Sequence, residues 1–571
     1  MSDDLTIARA AKMLPIDQVA WKMGLGIETI RLYGDHMAKI RWQAIEERVN
    51  APRGALVLVT SCSPTPFGEG KTTQSIGLAQ ALSSLGRSSA CTLREPSMGP
   101  VFGLKGGAAG GGHAQVIPMD ELNLHFTGDF HAISAAHNLL AAMIDNHIHH
   151  RLEPRLEIGR VTWPRVVDMN DRALRKIVVG LGGPENGVAR ETRFDITAAS
   201  EVMAILSLAN SPADLRERLG RIIIGEDLEG GPVTAEDIGA AGAMALLLRE
   251  AIQPNLIQTL EQTPAFIHGG PFANIAHGNS SVMADLAAVA CTDIVITEAG
   301  FGADLGAEKF FHIKVPSSDR PADAIVLNAT VRAMKLHGGG FSTSASQRPN
   351  KEEIERENVA SVRDGVRTNL TRHIQNLLRF GPPVIVAVNR FASDHPSELK
   401  ALVEEARAAG AHDAVISEVH TRGGEGGHDL ARAVIAATEE HIANGRPFTP
   451  IVAPRGNILE SIETIATEIY GAKGISMSKR AQRSLERITT WGYDTVPACM
   501  AKTQYSLSHD PALLGAPEEF ILPIEDIRLN AGAGFAVVLC GSIMTMPGLG
   551  RQPAASDMDL DPSGKITGAF G

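Results

Sequence analysis

The segment Thr65-Pro66-Phe67-Gly68-Glu69-Gly70-Lys71-Thr72-Thr73 stands between an apolar run, Ala55 to Cys62, and a helical pattern, Thr72 to Leu85. A buried parallel strand, a glycine turn and a helix start together form a phosphate cradle. Glycines let backbone N–H groups approach the β- and γ-phosphates of a nucleotide, and the helix N-terminus adds partial positive charge. Lys71 is placed to reach the outer phosphates, and the Thr72 hydroxyl to ligate Mg²⁺. All nine residues are candidate nucleotide contacts. A strict Walker A pattern would carry glycine at the position of Thr65, so the match departs there. The helix is expected to be amphipathic, with Ile76, Ala79, Gln80 and Ser83 on successive turns.

A chain of 571 residues has room for several domains. Its net charge of −12 argues against a nucleic-acid or anionic-membrane surface, so an anionic substrate must be met by a local cationic cluster such as Lys71, Arg94 and Lys105. Five scattered cysteines without a Cys-x-x-Cys pair fit a reducing compartment. The acidic start has no apolar region behind it, and no apolar stretch is long enough to span a bilayer. A cytoplasmic location is expected.

From Asp3 to Val49 the pattern reads as a helical, charged arm, broken by Ala51-Pro52-Arg53-Gly54. Apolar runs at Ile294 to Thr297, Ala324 to Val331, Pro383 to Val388 and Ala414 to Val419 alternate with helical patterns. That alternation predicts a P-loop NTPase-like, doubly wound parallel sheet with smaller αβ domains. Asp195 to Ala209 and Ala240 to Ile252 read as helices, with Ser211-Pro212-Ala213-Asp214 as a turn and cap. Arg348 to Arg356 reads as a surface linker and Asn457 to Leu485 as helix-rich. Three domains are expected: 1–350 with the phosphate loop and the arm, 351–456, and 457–571.

A second glycine cluster, Gly103 to Gly112, is too rich in glycine for a helix or strand and is expected to be a loop. Ser88 to Leu93 reads as the strand before it. Arg94 and Glu95 then lie at that strand's carboxyl end, the edge where such sheets bind ligands. Arg94 is a candidate bidentate clamp for a phosphoryl or carboxylate group, and Glu95 a candidate cation ligand. A structural ion pair is the alternative. His147, His149 and His150 lack a metal-site framework and read as a solvated helix end.

Several strings are more specific: Leu93 to Gly99 (LREPSMG), Gly103 to Gly112 (GLKGGAAGGG), Leu122 to Ile133 (LNLHFTGDFHAI), Thr297 to Phe311 (TEAGFGADLGAEKFF), Ala329 to Gly339 (ATVRAMKLHGG) and Lys502 to Ser506 (KTQYS). With Glu191 to Leu206 and Ala531 to Gly548 they closely resemble the formate–tetrahydrofolate ligase family along nearly the whole chain. That family carries Thr-Pro-x-Gly-Glu-Gly-Lys-Thr at its nucleotide loop, which accounts for Thr65. The resemblance implies that ATP with Mg²⁺, formate and tetrahydrofolate give formyltetrahydrofolate, ADP and phosphate through formyl phosphate, and it implies a homotetramer and a monovalent cation. By the same resemblance Arg94 holds formyl phosphate, Glu95 lies near substrates or the cation, and Phe391 stacks on the folate. His125 and Asp129 are candidates for orienting the folate amine or accepting its proton; a hydrogen-bonded loop explains them equally well. His420 falls where the family usually has a stacking tryptophan, and His113 where it usually has tyrosine.

Overall fold

The structure is a computed structural model describing residues 4–48, 53–105, 109–342, 348–541 and 543–568. The acidic start, the break at Ala51 and Pro52, and residues 106–108 of the second glycine cluster lie outside them.

Seven parallel strands form the centre of a 12-stranded sheet, in the order Pro264–Ile267, Ser89–Leu93, Ile294–Glu298, Ala55–Ser61, Ala324–Ala329, Val384–Asn389, Asp413–Ser417. The fold is thus mixed α/β around a large, mostly parallel sheet. The strand before the glycine loop, Ala55–Ser61, sits in its interior and is buried throughout. Its side chains alternate between faces, as strand geometry requires: Leu56 and Leu58 enter one apolar core, and Ala55, Val57 and Val59 the other. Burial on both faces explains why these strands read as unbroken apolar runs. Strands Val384–Asn389 and Asp413–Ser417 extend the same sheet from the segment 351–456.

The leading arm is not wholly helical. Ile30–Tyr33 and Met37–Ile40 form an antiparallel hairpin that joins the sheet through Asn255–Thr259. Asp195 to Ala209 is not one helix: a strand, Phe194–Ile196, precedes helix Glu201–Leu208, which is capped by Ser200. The turn and cap at Ser211 form as expected, with its side chain accepting from the Asp214 N–H. In the expected linker, Lys351–Glu355 is a helix closed by an Asn350–Glu353 capping box. The glycine cluster is not all loop: Val101–Lys105 forms a helical turn and Gly110–Gly111 pairs with Ala114 and Gln115. His147 is buried rather than solvated, its ring Nε2 2.8 Å from the Pro154 carbonyl oxygen.

The C-terminal region builds a third core around Ile458, Ile462, Leu522 and Val538. The opposite face of its sheet, through Val537 and Leu539, packs into the main core. Glu201 joins the two regions, its carboxylate accepting from the Gly532 and Ala533 N–H groups at 2.8 and 3.2 Å. Burial raises its pKa from the ordinary 4.5 to about 7. The folded state therefore holds this proton more tightly than the unfolded chain. The resulting stability is full below the unfolded pKa and is lost as pH climbs through the folded one, by at most about 3 kcal/mol. Glu201→Gln keeps an acceptor oxygen and removes the titration. Thermal melts should show a flatter pH dependence between about pH 5 and 7 for that variant than for the wild type.

Candidate functional site

The glycine loop leaves the central strand and turns at Gly70, whose φ of +68° places it in the left-handed region. A Cβ there would come within 2.6 Å of Asn389 Nδ2, so glycine is required twice over. Two neighbouring strands, Ala324–Ala329 and Val384–Asn389, fix the loop. Asn328 and Asn389 donate to the Glu69 carbonyl oxygen at 2.7 and 2.9 Å. The Glu69 carboxylate turns inward, accepting from the Thr65 N–H at 2.7 Å and from the Thr330 hydroxyl. Glu69 and Thr65 are thus buried supports of the loop, and Pro66 and Phe67 form its rim. Phe67 is 37% exposed.

Helix Lys71–Ser84 starts one residue earlier than the pattern suggested and is not amphipathic: Thr73 to Leu82 is buried, including Gln74 and Gln80. The segment around Val419 and Gly423–Gly427 and the hairpin ending at Ala114–Ile117 cover its outer side. Gln80 donates to the His113 carbonyl oxygen at 3.1 Å. At the helix start the Lys71 ammonium donates to the Phe301 carbonyl oxygen at 2.6 Å. Phe301 has a φ of +57°, a strained conformation for a bulky residue. The Thr72 hydroxyl is partly exposed and has no partner among the described residues. A hydroxyl at a helix start suits a divalent cation that also holds phosphate oxygens.

Arg94 follows strand Ser89–Leu93. One guanidinium nitrogen donates to the Pro271 carbonyl oxygen at 3.3 Å, while another lies 4.0 Å from the Glu298 carboxylate. Burial lowers its pKa, with Glu298 opposing. The side chain is 30% exposed and keeps donors for an anion. Glu95 is buried with Oε2 unpartnered. Burial pushes its carboxyl well above the usual range, helped by Asp129 and Asp168 and opposed by Lys39. Arg94 and Glu95 do not pair with each other.

Asp129 opens helix Asp129–His149 and is locked inward. The Lys39 ammonium donates to both its oxygens at 2.8 and 3.0 Å, and Asn255 Nδ2 donates at 2.8 Å. Lys39 is the core residue of the hairpin that the sequence concealed. His125 is exposed in the preceding turn, whereas the Asp129 carboxylate is taken up by Lys39 and Asn255. Lys39→Ala would leave a buried carboxylate without its cation, an expected loss of about 3–5 kcal/mol read by urea denaturation.

Phe391 lies two residues beyond strand Val384–Asn389, with the Arg332 guanidinium 3.9 Å from its ring centroid. Arg332 also donates to the Gly68 carbonyl oxygen and lies over Phe67. His420, on helix Val419–Arg422, is exposed, and its carbonyl oxygen accepts from the His113 N–H at 2.8 Å. The two departures from the family pattern are therefore neighbours. The Lys105 side chain lies outside the described residues.

Comparison with known proteins gives the same family throughout. A family model described as formate–tetrahydrofolate ligase matches residues 2–570. A formate–tetrahydrofolate ligase of Paracoccus denitrificans is 54% identical over 570 residues, with 100% of both chains covered. Those of a Roseiflexus species and of Maricaulis maris are each 52% identical, again with 100% of both chains covered. The chain belongs to the formate–tetrahydrofolate ligase family.

In this member of the formate–tetrahydrofolate ligase family, the sequence reading assigned no roles to several residues around Arg94. Glu298 and Asn279 each keep a buried side-chain oxygen without a partner. His277 is fully buried with both ring nitrogens unpartnered, and burial together with Lys314, Arg94 and Lys309 holds it neutral. Lys502, in the C-terminal KTQYS string, forms a buried ion pair with Asp304 at 2.6 Å and so ties that region to the loop carrying Phe301. Arg332 and Glu298 both lie in strings quoted for the resemblance, but only the fold shows what they face.

Proposed function

We propose that the chain ligates formate to tetrahydrofolate using ATP, by way of formyl phosphate. The observation that carries this reading is the placement of two cations, Lys71 at the start of a buried helix and Arg94 beyond a neighbouring region of the parallel sheet, each with donors directed to carbonyls that an anion can replace. Formate as a carboxylate is a poor acyl donor. One of its oxygens attacks the terminal phosphorus of ATP and ADP leaves, giving an acyl phosphate whose phosphate is a good leaving group. The folate amine then attacks the formyl carbon, phosphate departs and the amine loses a proton.

These steps need positioning and charge neutralisation more than covalent groups. Backbone N–H groups at 68–72 and Lys71 hold the phosphates, and Arg94 holds the transferred phosphoryl or formyl phosphate. Mg²⁺, held by Thr72 and phosphate oxygens, would supply further neutralisation. Glu95, with a free carboxyl oxygen, suits a monovalent cation. Phe391 offers a ring for the pterin, with His420 in the second stacking position and His125 as a candidate proton acceptor. A cytoplasmic homotetramer belongs to the same reading, and sedimentation velocity measures the assembly. A coupled assay for formylated folate, omitting each substrate in turn, tests the function: product must require ATP, formate and tetrahydrofolate together. ATP turnover that continues unchanged without either acceptor would refute it.

A further inference from the structure

Away from the phosphate loop and Arg94, a cavity of about 870 Å³ lies between the main core and the C-terminal domain. One wall is helix Lys479–Thr490, which presents Lys479, Arg480, Arg483 and Arg487. Residues 479, 483 and 487 are spaced by four and so share a helix face. Arg160, Arg193 and Arg528 face them from other elements. Seven cationic side chains thus meet three carboxylates, those of Asp195, Glu201 and Asp526.

The carboxylates are already committed. Asp195 pairs with Arg193 at 3.2 Å, and Asp526 is shared by Arg480 and Arg528 at 2.8 and 3.5 Å. Glu201 accepts from backbone N–H groups. Glu226 takes Arg487 at 3.0 Å and Arg160 at 3.9 Å. Lys479 and Arg483 have no carboxylate partner among the described residues. The Arg528 guanidinium has a lowered pKa, first from burial and next from the repulsion of Arg193. These cations stay open to solvent, Arg160 at 59% and Arg480 at 71%, so their unused donors can meet an anion entering the concavity, a local positive field in a chain with net charge −12. The same cavity has an apolar side formed by Trp163, Ile275, Ile488 and Leu539, with Trp491 carrying Arg487 at 5.3 Å from its ring.

We propose that this cavity binds a small polyanion with two or more neighbouring carboxylate or phosphate groups, gripped by the arginine forks opposite helix Lys479–Thr490. Guanidinium groups suit either anion, so an oligocarboxylate and an oligophosphate share the required chemistry. The site is distinct from the proposed catalytic cations, since none of Lys71, Arg94 or Glu298 lines it.

The test titrates wild type and a Lys479→Glu/Arg483→Glu double variant with tri-γ-glutamate and, separately, inorganic triphosphate, following tryptophan fluorescence and heat. Both substituted positions are exposed on the helix, and far-UV circular dichroism checks that the fold is kept. Arg528→Met is the second variant should the first fail to fold. Only the binding component that a variant removes counts, which separates this cavity from the phosphate loop. One anion is expected to bind saturably and to lose at least about tenfold in affinity in the variant, or about 1.4 kcal/mol, while formylation at saturating substrate is unchanged. The anion that does so identifies the source. Absence of saturable binding by either anion up to about 10 mM, or equal affinity in wild type and variant, overturns the proposal.

Discussion

Lys71→Ala is expected to fold normally and to lose about 10²–10³-fold in kcat, the range found when a preorganised donor to developing charge is removed. Lys71 is partly exposed at a helix start, and its ammonium donates to the Phe301 carbonyl oxygen. Truncation empties no core position. The loop bearing Phe301 also keeps independent anchors, the Ala303 N–H to the Ser61 carbonyl oxygen at 2.7 Å and the Lys502–Asp304 pair. Thermal melts should therefore move little while steady-state formylation collapses. A variant that melts early and regains activity on cooling would instead make Lys71 a structural residue.

Arg94→Lys is expected to be nearly as damaging, by about 10²-fold or more in kcat/KM, although positive charge is kept. A guanidinium can use one nitrogen on Pro271 and still present others to a phosphoryl or carboxylate group; an ammonium is a point charge that cannot hold both in plane. Glu298 lies 4.0 Å away and is largely buried, so the shorter lysine would be drawn toward it and away from the anion. Steady-state kinetics with formate as the varied substrate reads the effect, and activity within about twofold of wild type would remove Arg94 from the site.

The parallel strands were legible because burial on both faces leaves unbroken apolar runs, as in Ala55–Ser61 and Ala324–Ala329. The glycine turn between the central strand and helix Lys71–Ser84 was legible because Gly68, Gly70 and Lys71 fall within four positions. The hairpin Ile30–Ile40 was not: its strands contain Arg31 and Lys39, and only the distant Asp129 makes Lys39 a core residue. Helix Lys71–Ser84 looked amphipathic because the segments that cover its polar side come from residues more than thirty or three hundred positions later. The surroundings of Arg94 are assembled from loops near 271, 277 and 298, so spacing along the chain carried no signal of them. His125 and Asp129 show the converse: adjacency in one string suggested a shared role, yet one is exposed and the other locked beneath Lys39.

The most direct test of an acyl phosphate route is an oxygen-transfer experiment with formate labelled in both oxygens by ¹⁸O. If formate attacks the terminal phosphorus of ATP, one labelled oxygen must appear in each phosphate released and the other must remain in the formylated folate, as mass spectrometry of both products would read. Unlabelled phosphate released in step with formylated folate would contradict it.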